Sequence, residues 1–194
     1  MKTHKAVLMF IRGIPGSGKT FIATETAKKI GNNEVLLIDP DTVDTESTEY
    51  LEACQRMRSE GVNETLFTYR FLREKARNGL LSRKVVIWNQ AFTGIESFAL
   101  VVDNFKQYAV ENNIALKIYV TEVAIDPVIA KQRVRQRTAN GGHGVDDDKF
   151  EEFIQKYRSL EGLGLGYDII SIDGSEDVLI NSDILTQRIT SSLS

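Results

Sequence analysis

The 194-residue chain holds a single cysteine, Cys54, so no disulfide can close within it and a disulfide-stapled scaffold is excluded. Nowhere does it approach the roughly 18 consecutive apolar residues that mark a membrane-spanning helix. Neither sign of charge dominates: 24 Lys and Arg against 27 Asp and Glu leave a net charge of −3. Such a chain exerts no global pull on a phosphate backbone, so a nucleic-acid partner would need a local basic groove. His4, His143 and Cys54 match no metal-ligand spacing. The apolar stretch after Met1-Lys2-Thr3-His4-Lys5 stops at Arg12 without a small-residue cleavage site. The expectation is therefore a soluble, cytoplasmic chain without membrane association. Repeats, low-complexity tracts and linkers are also lacking. What remains is 42% hydrophobic and 26% charged, the balance of a folded chain. The length suits one domain, 1–194.

Apolar runs alternate with helical patterns throughout. Residues 6–11 form a continuous apolar run, as expected of a strand buried on both faces. Further strands are expected at 35–38, 84–88, 116–123 and 167–172. Helices are expected at 19–30, 46–60, 64–78, 96–112, 127–138, 148–160 and 178–189, with Gly61 and Gly79 closing the second and third. This alternation implies crossover units, hence an α/β fold with a parallel sheet between helical layers. The aromatic residues Phe67, Tyr69 and Phe71, with Leu72, read as helix packing rather than a base-stacking platform. Trp88 reads the same way, and Asp146-Asp147-Asp148 as the cap of the sixth helix.

Between the first strand and first helix stands Gly13-Ile14-Pro15-Gly16-Ser17-Gly18-Lys19-Thr20, which matches G-x-x-x-x-G-K-[ST] at every specified position. Glycines let a backbone curl so that successive N–H groups converge on phosphate oxygens, and the following helix aims its positive end at them. Lys19 is the residue to reach the β- and γ-phosphates of ATP, and the Thr20 hydroxyl is the residue to ligate Mg²⁺. No Asn-Lys-x-Asp stretch follows a late strand, which argues against a guanine-reading switch. Asn89 stands where motor and transporter ATPases usually carry an acid at the end of the third strand. A small phosphotransferase remains.

Asp39-Pro40-Asp41 lies at the carboxyl end of the second strand, the edge where open parallel sheets bind ligands. Asp41 suits either of two roles, a base that takes a proton from an alcohol acceptor or a turn and helix cap. Spacing alone leaves them level. Arg133 and Arg137 are four apart on one helical face, with Arg135 pointing elsewhere, and Gly141-Gly142-His143-Gly144 follows. Beside a phosphate loop, two guanidiniums and a glycine-rich hinge read as a lid of about 133–148 that grips a transferring phosphoryl group; alone, they would read as a solvated basic helix.

Three blocks in this order, Gly13 to Thr20, Ile38-Asp39-Pro40-Asp41-Thr42, and Arg133 through Val145, carry a family resemblance. The chain resembles the zeta-toxin-like kinases and the related 5′-polynucleotide kinase domain of the P-loop kinase group. The resemblance implies a three-layer P-loop fold with five parallel strands in the order 2-3-1-4-5, and ATP with Mg²⁺ as donor. It also implies Asp41 as general base and Arg133 with Arg137 as lid arginines. On the acceptor side the match departs: Asp44 and Phe92 stand where relatives carry arginines, and Asn89 where polynucleotide kinases carry aspartate. The reading is an ATP-dependent kinase for a small-molecule hydroxyl such as a sugar nucleotide. A polynucleotide acceptor ranks second and a non-catalytic nucleotide binder third. An antitoxin-type protein partner is not readable from these residues.

Overall fold

The computed structural model describes residues 4–142, 144–164 and 166–193. Five strands, β1 (His4–Arg12), β2 (Val35–Ile38), β3 (Val85–Asn89), β4 (Ile114–Ala124) and β5 (Asp168–Asp173), form one sheet in the order β2-β3-β1-β4-β5. Every pairing is parallel. The helices are α1 (Lys19–Ile30), α2 (Thr48–Ser59), α3 (Phe67–Leu81), α4 (Ile95–Glu111), α5 (Pro127–Ala139), α6 (Asp147–Lys156) and α7 (Val178–Leu193). Among the described residues no helix is long and apolar enough to cross a membrane.

The unbroken apolar run of β1 follows from its central position, because both faces of the strand are covered. Side chains alternate across a strand. Leu8 and Phe10 therefore enter one core with α2, α3 and α4, while Val7, Met9 and Ile11 enter another with α1 and α7. A third, smaller cluster joins Ile14 of the glycine loop to Ala130 and Val134 of α5 and Phe150 of α6. That cluster fixes the loop against the helices that overhang it.

Most expected boundaries shift by a few residues, and two of the shifts have a visible reason. Gly79 does not close α3, which runs on to Leu81. It lies where the helix presses on the sheet, and a Cβ there would come within 2.7 Å of Leu36 Cδ2 and 3.2 Å of Val86 Cγ2. Gly61, by contrast, follows α2 with φ +72°, as a helix-ending glycine does. The sixth helix ends at Lys156 rather than 160, because Glu122 of β4 accepts hydrogen bonds from Leu160 N at 3.0 Å and Ser159 Oγ at 2.6 Å. Asp146 occupies the N-cap position of α6 without a side-chain cap bond. Asp147 instead pairs with Arg135 at 2.5 Å. His143 lies outside the described residues.

Glu122 is also the partner of Arg12, its register neighbour across β1 and β4. Both are buried. Arg12 donates in addition to the Phe92 carbonyl at 2.8 Å, and its guanidinium lies 4.5 Å from the Tyr157 ring centroid. Desolvation opposes any buried ion pair, and removing one partner strands the other charge. Arg12→Met is therefore expected to lower the unfolding free energy by about 3–5 kcal/mol, read from urea denaturation. A loss below about 1 kcal/mol, the level of an exposed pair, would show that the pair does not hold the fold.

Candidate active site

The loop from Gly13 to Thr20, Asp39, Asp41, Arg133 and Arg137 gather at the carboxyl edge of the sheet, where each strand hands over to a loop. Gly13 to Gly18 leaves β1 and curls into α1, with Gly16 at φ +82° and Gly18 at φ +92°. The curl is tightly enclosed. A Cβ at Gly16 would run into the Ala130 carbonyl of α5, and one at Gly174 into the Ser17 carbonyl. No side chain fits at either contact, so α5 and the turn after β5 approach the loop backbone directly. The Ser17 hydroxyl is buried without a hydrogen-bond partner.

Lys19 opens α1, its ammonium 3.4 Å from the Ile14 carbonyl. Burial lowers its pKa to about 8, against the opposing pull of Asp41 and Asp39 and with a smaller push from Arg137. The lysine thus sits in a pocket that disfavours its own charge until an anion arrives. Thr20 follows at the solvent edge. Its hydroxyl accepts a hydrogen bond from Asn89 Nδ2 at 3.0 Å, and the same amide donates to Asp39 Oδ2 at 2.6 Å. Asn89 therefore links the ends of β2 and β3 to the first turn of α1. Asp39 Oδ1 accepts from the Asp41 backbone at 3.0 Å, turning Pro40–Thr42 into a single 3-10 turn that leaves Asp41 exposed.

The residues fit a small, hard divalent cation. The Thr20 hydroxyl, the Asp39 carboxylate and the Asn89 side-chain oxygen, buried with no hydrogen-bond partner, are all oxygen donors. Among the described residues no group of three or more His, Cys, Asp or Glu gathers as a softer or fully protein-caged site would.

Two cavities meet at this loop. The larger, about 840 Å³, is lined by Lys19, Thr20, Asp39 and Asp41, by Arg73 and Tyr69 of α3, by the turn after β3, and by Arg137, Lys149 and Phe153 of α5 and α6. The smaller, about 470 Å³, runs from Gly18, Lys19 and Thr20 to Arg133, Arg137, Gly174 and Glu176. Gly16, Lys19, Thr20 and Arg137 line both. The two arginines thus differ in position. Arg133 donates to the Gly174 carbonyl at 2.8 Å and borders the smaller cavity alone, whereas Arg137 reaches the junction. Arg135 lies outside both, paired with Asp147.

Some of the cleft was not expected. Tyr69 is not core packing as read from its neighbours; it is 44% exposed and lines the larger cavity, while Phe67, Phe71 and Leu72 are buried. No residue of α2 lines that cavity; its helical walls come from α3, α4, α5 and α6. Trp88 is buried at the cleft wall in a ring cluster with Phe10, Phe92 and Phe105. Phe92 packs in that same cluster at φ +47°, a left-handed conformation rare for a bulky residue. Asp44 lies outside the cleft, its carboxylate accepting from Glu46 N at 3.0 Å. Arg73 and the turn at Gly174 escaped notice in the sequence. The turn stood at the carboxyl end of the last strand, where the ligand-edge rule could have found it.

The same architecture occurs in solved structures. A gluconokinase from Sinorhizobium meliloti 1021 aligns with a TM-score of 0.55 at 16% identity, over 96% of this chain and 97% of that one. A fungal RNA kinase aligns with a TM-score of 0.62 at 14% identity, over 98% and 87%. A deoxyadenosine kinase from M. mycoides aligns with a TM-score of 0.52 at 14% identity, over 95% and 99%. Identities this low establish a shared kinase-like P-loop fold. No curated protein sequence matches the chain. A family model described as AAA domain matches residues 8–160, and so the chain belongs to that AAA domain family.

Proposed function

We propose that the protein is an ATP-dependent phosphotransferase that moves the γ-phosphoryl group of ATP to a hydroxyl of a small molecule, in the manner of the zeta-toxin-like kinases. The observation that carries the reading is the junction of two cavities at Lys19, Thr20 and Arg137, with Asp41 lining the larger cavity only. A donor and an acceptor need separate chambers that share one point, and that point needs positive charge. The triphosphate lies along Gly13 to Thr20, and its nucleoside extends past Arg133 into the smaller cavity. The acceptor fills the larger one. That kinases of sugars, nucleosides and RNA share the fold supports phosphoryl transfer and leaves the acceptor to the cleft itself.

In this mechanism Asp41 orients the acceptor hydroxyl and takes its proton. The acceptor oxygen forms its bond to the γ-phosphorus as the bond from that phosphorus to the β–γ bridging oxygen breaks, and ADP departs. Lys19 holds the β- and γ-phosphates, Arg137 neutralises the equatorial oxygens, and Arg133 steadies the nucleotide side. The Thr20 hydroxyl, with the Asp39 and Asn89 oxygens, would hold Mg²⁺ beside the nucleotide, where it would supply further charge neutralisation. The segment 133–148 serves as the lid of a single domain, its closure excluding water that would otherwise take the phosphoryl group.

The deciding experiment supplies γ-labelled ATP with panels of sugar nucleotides, nucleosides and oligonucleotides. Label on a small hydroxyl compound supports the reading. Label on oligonucleotide 5′ ends would make the protein a polynucleotide kinase, and none on any acceptor would leave a nucleotide-dependent binder. Asp41→Asn is expected to lower turnover about 10²–10⁴-fold with the affinity for ATP kept; unchanged turnover would remove Asp41 from the chemistry.

Lys19 sets a pH dependence. With its pKa lowered to about 8 in the free protein, it is protonated below that value and ready for phosphate. As pH rises through 8 the free protein loses the charge, so binding must take up a proton and weaken. A terminal phosphate, whose last ionisation lies at about pH 6, changes little in charge above about pH 8. Calorimetry from pH 7 to 9.5 should therefore show ATP affinity falling above about pH 8, approaching tenfold per unit, with proton uptake seen across buffers. A flat profile would show that Lys19 does not contact the phosphates.

A further inference from the structure

The cation balance of α3 is uneven. Leu66, just before the helix, and Tyr69 and Arg73 fall on one stripe, at i, i+3 and i+7, and all three line the larger cavity. Three other cations of the α2–α3 pair have acids: Arg56 with Glu74, Arg58 with Glu64, Lys75 with Glu49. Arg73 is left over. No acid lies within ion-pair distance of it among the described residues, and its Nε atom is buried without a hydrogen-bond partner.

The nearby charges aggravate this. Burial disfavours the guanidinium charge of Arg73, and Arg77 and Arg70 add like-charge repulsion. Arg77 is turned away, its guanidinium 4.9 Å from the Tyr108 ring centroid. Of the cleft acids, Asp39 is engaged by Asn89 and by the Asp41 backbone. A half-buried arginine without a counter-ion, facing a cavity that opens toward the reaction centre, is a site waiting for an anion.

We propose that Arg73 is the acceptor-recognition residue, and that the acceptor is a hydroxyl compound already bearing an oxyanion, either phosphate or carboxylate, which the Arg73 guanidinium binds while Tyr69 and Leu66 cover its uncharged body. The inference rests on the kinase reading above and refines it, since Lys19 and Arg137 are occupied by the donor. Arg73 lies on a different element from every donor residue, so its anion is a second one. The role is binding, and it leaves the proton transfer at Asp41 unchanged.

The test fills the donor half first, with magnesium and a non-hydrolysable ATP analogue, and then titrates the full-length protein with inorganic phosphate or with gluconate by calorimetry. At least one of these probes should bind at one site per chain, and the one that binds distinguishes a phosphorylated from a carboxylated acceptor. Arg73→Gln should weaken that binding about tenfold or more, the loss expected for a charge-assisted hydrogen-bonded pair, with the affinity for the analogue unaltered. Arg73→Lys should restore part of it, and Arg70→Gln, altering an exposed arginine outside the cleft, should leave it intact. If neither probe binds the analogue-filled protein, or if Arg73→Gln binds as the parent does, the proposal is overturned while the kinase reading stands. Failure of the analogue itself to bind would overturn both.

Discussion

The cleft depends on the buried pair between Arg12 and Glu122. These residues face each other at the ends of β1 and β4, one position before the glycine loop begins. Neither charge is spent on the other alone. Arg12 also holds the Phe92 carbonyl, and Glu122 holds Ser159 and the backbone of Leu160. One ion pair thus pins the turn after β3 and the chain leaving α6 to the same point of the sheet. The first of these segments lines the larger cavity, and the second follows α6, which lines it through Lys149 and Phe153. Water is excluded from the pair, so the attraction is strong, and every satisfied hydrogen bond offsets part of the desolvation cost. The rest of the site inherits this rigidity.

Upon that base the loop and the overhanging helices form one unit. Ile14 packs with Val134 and Phe150, and Gly16 meets the Ala130 backbone, so α5 is seated on the phosphate loop rather than beside it. Arg133 and Arg137 take their positions from that seating. Asn89 performs the matching task on the other side, tying Thr20 to Asp39. An amide can donate to both an alcohol and a carboxylate, which an acid in its place could not do without a proton.

Much of this was legible in the linear sequence. The apolar run of β1, the loop from Gly13 to Thr20 and the alternation of strand and helix are local signals, and the strand order 2-3-1-4-5 implied by the resemblance is the order found. The position of Asp39 and Asp41 at the sheet's carboxyl edge followed from the same alternation. What stayed hidden is non-local. Arg12 and Glu122 are 110 positions apart, and nothing in either neighbourhood marks them as partners. Gly79 looked like a helix stop because its chain neighbours carry no trace of Leu36 and Val86 pressing on it. Arg73 looked like one more surface cation among Arg70, Lys75 and Arg77, until its place on the cavity wall singled it out.

The shared floor of the two cavities has a further consequence. Because the two chambers share four lining residues, a tethered compound, with a nucleoside polyphosphate at one end and a polyol at the other, could reach past them and occupy both together. Joining the halves makes the second contact intramolecular, so avidity gains the tether's effective concentration without any new interaction. The number of phosphates in the tether then becomes a ruler: the length that binds tightest measures the distance between the two chambers.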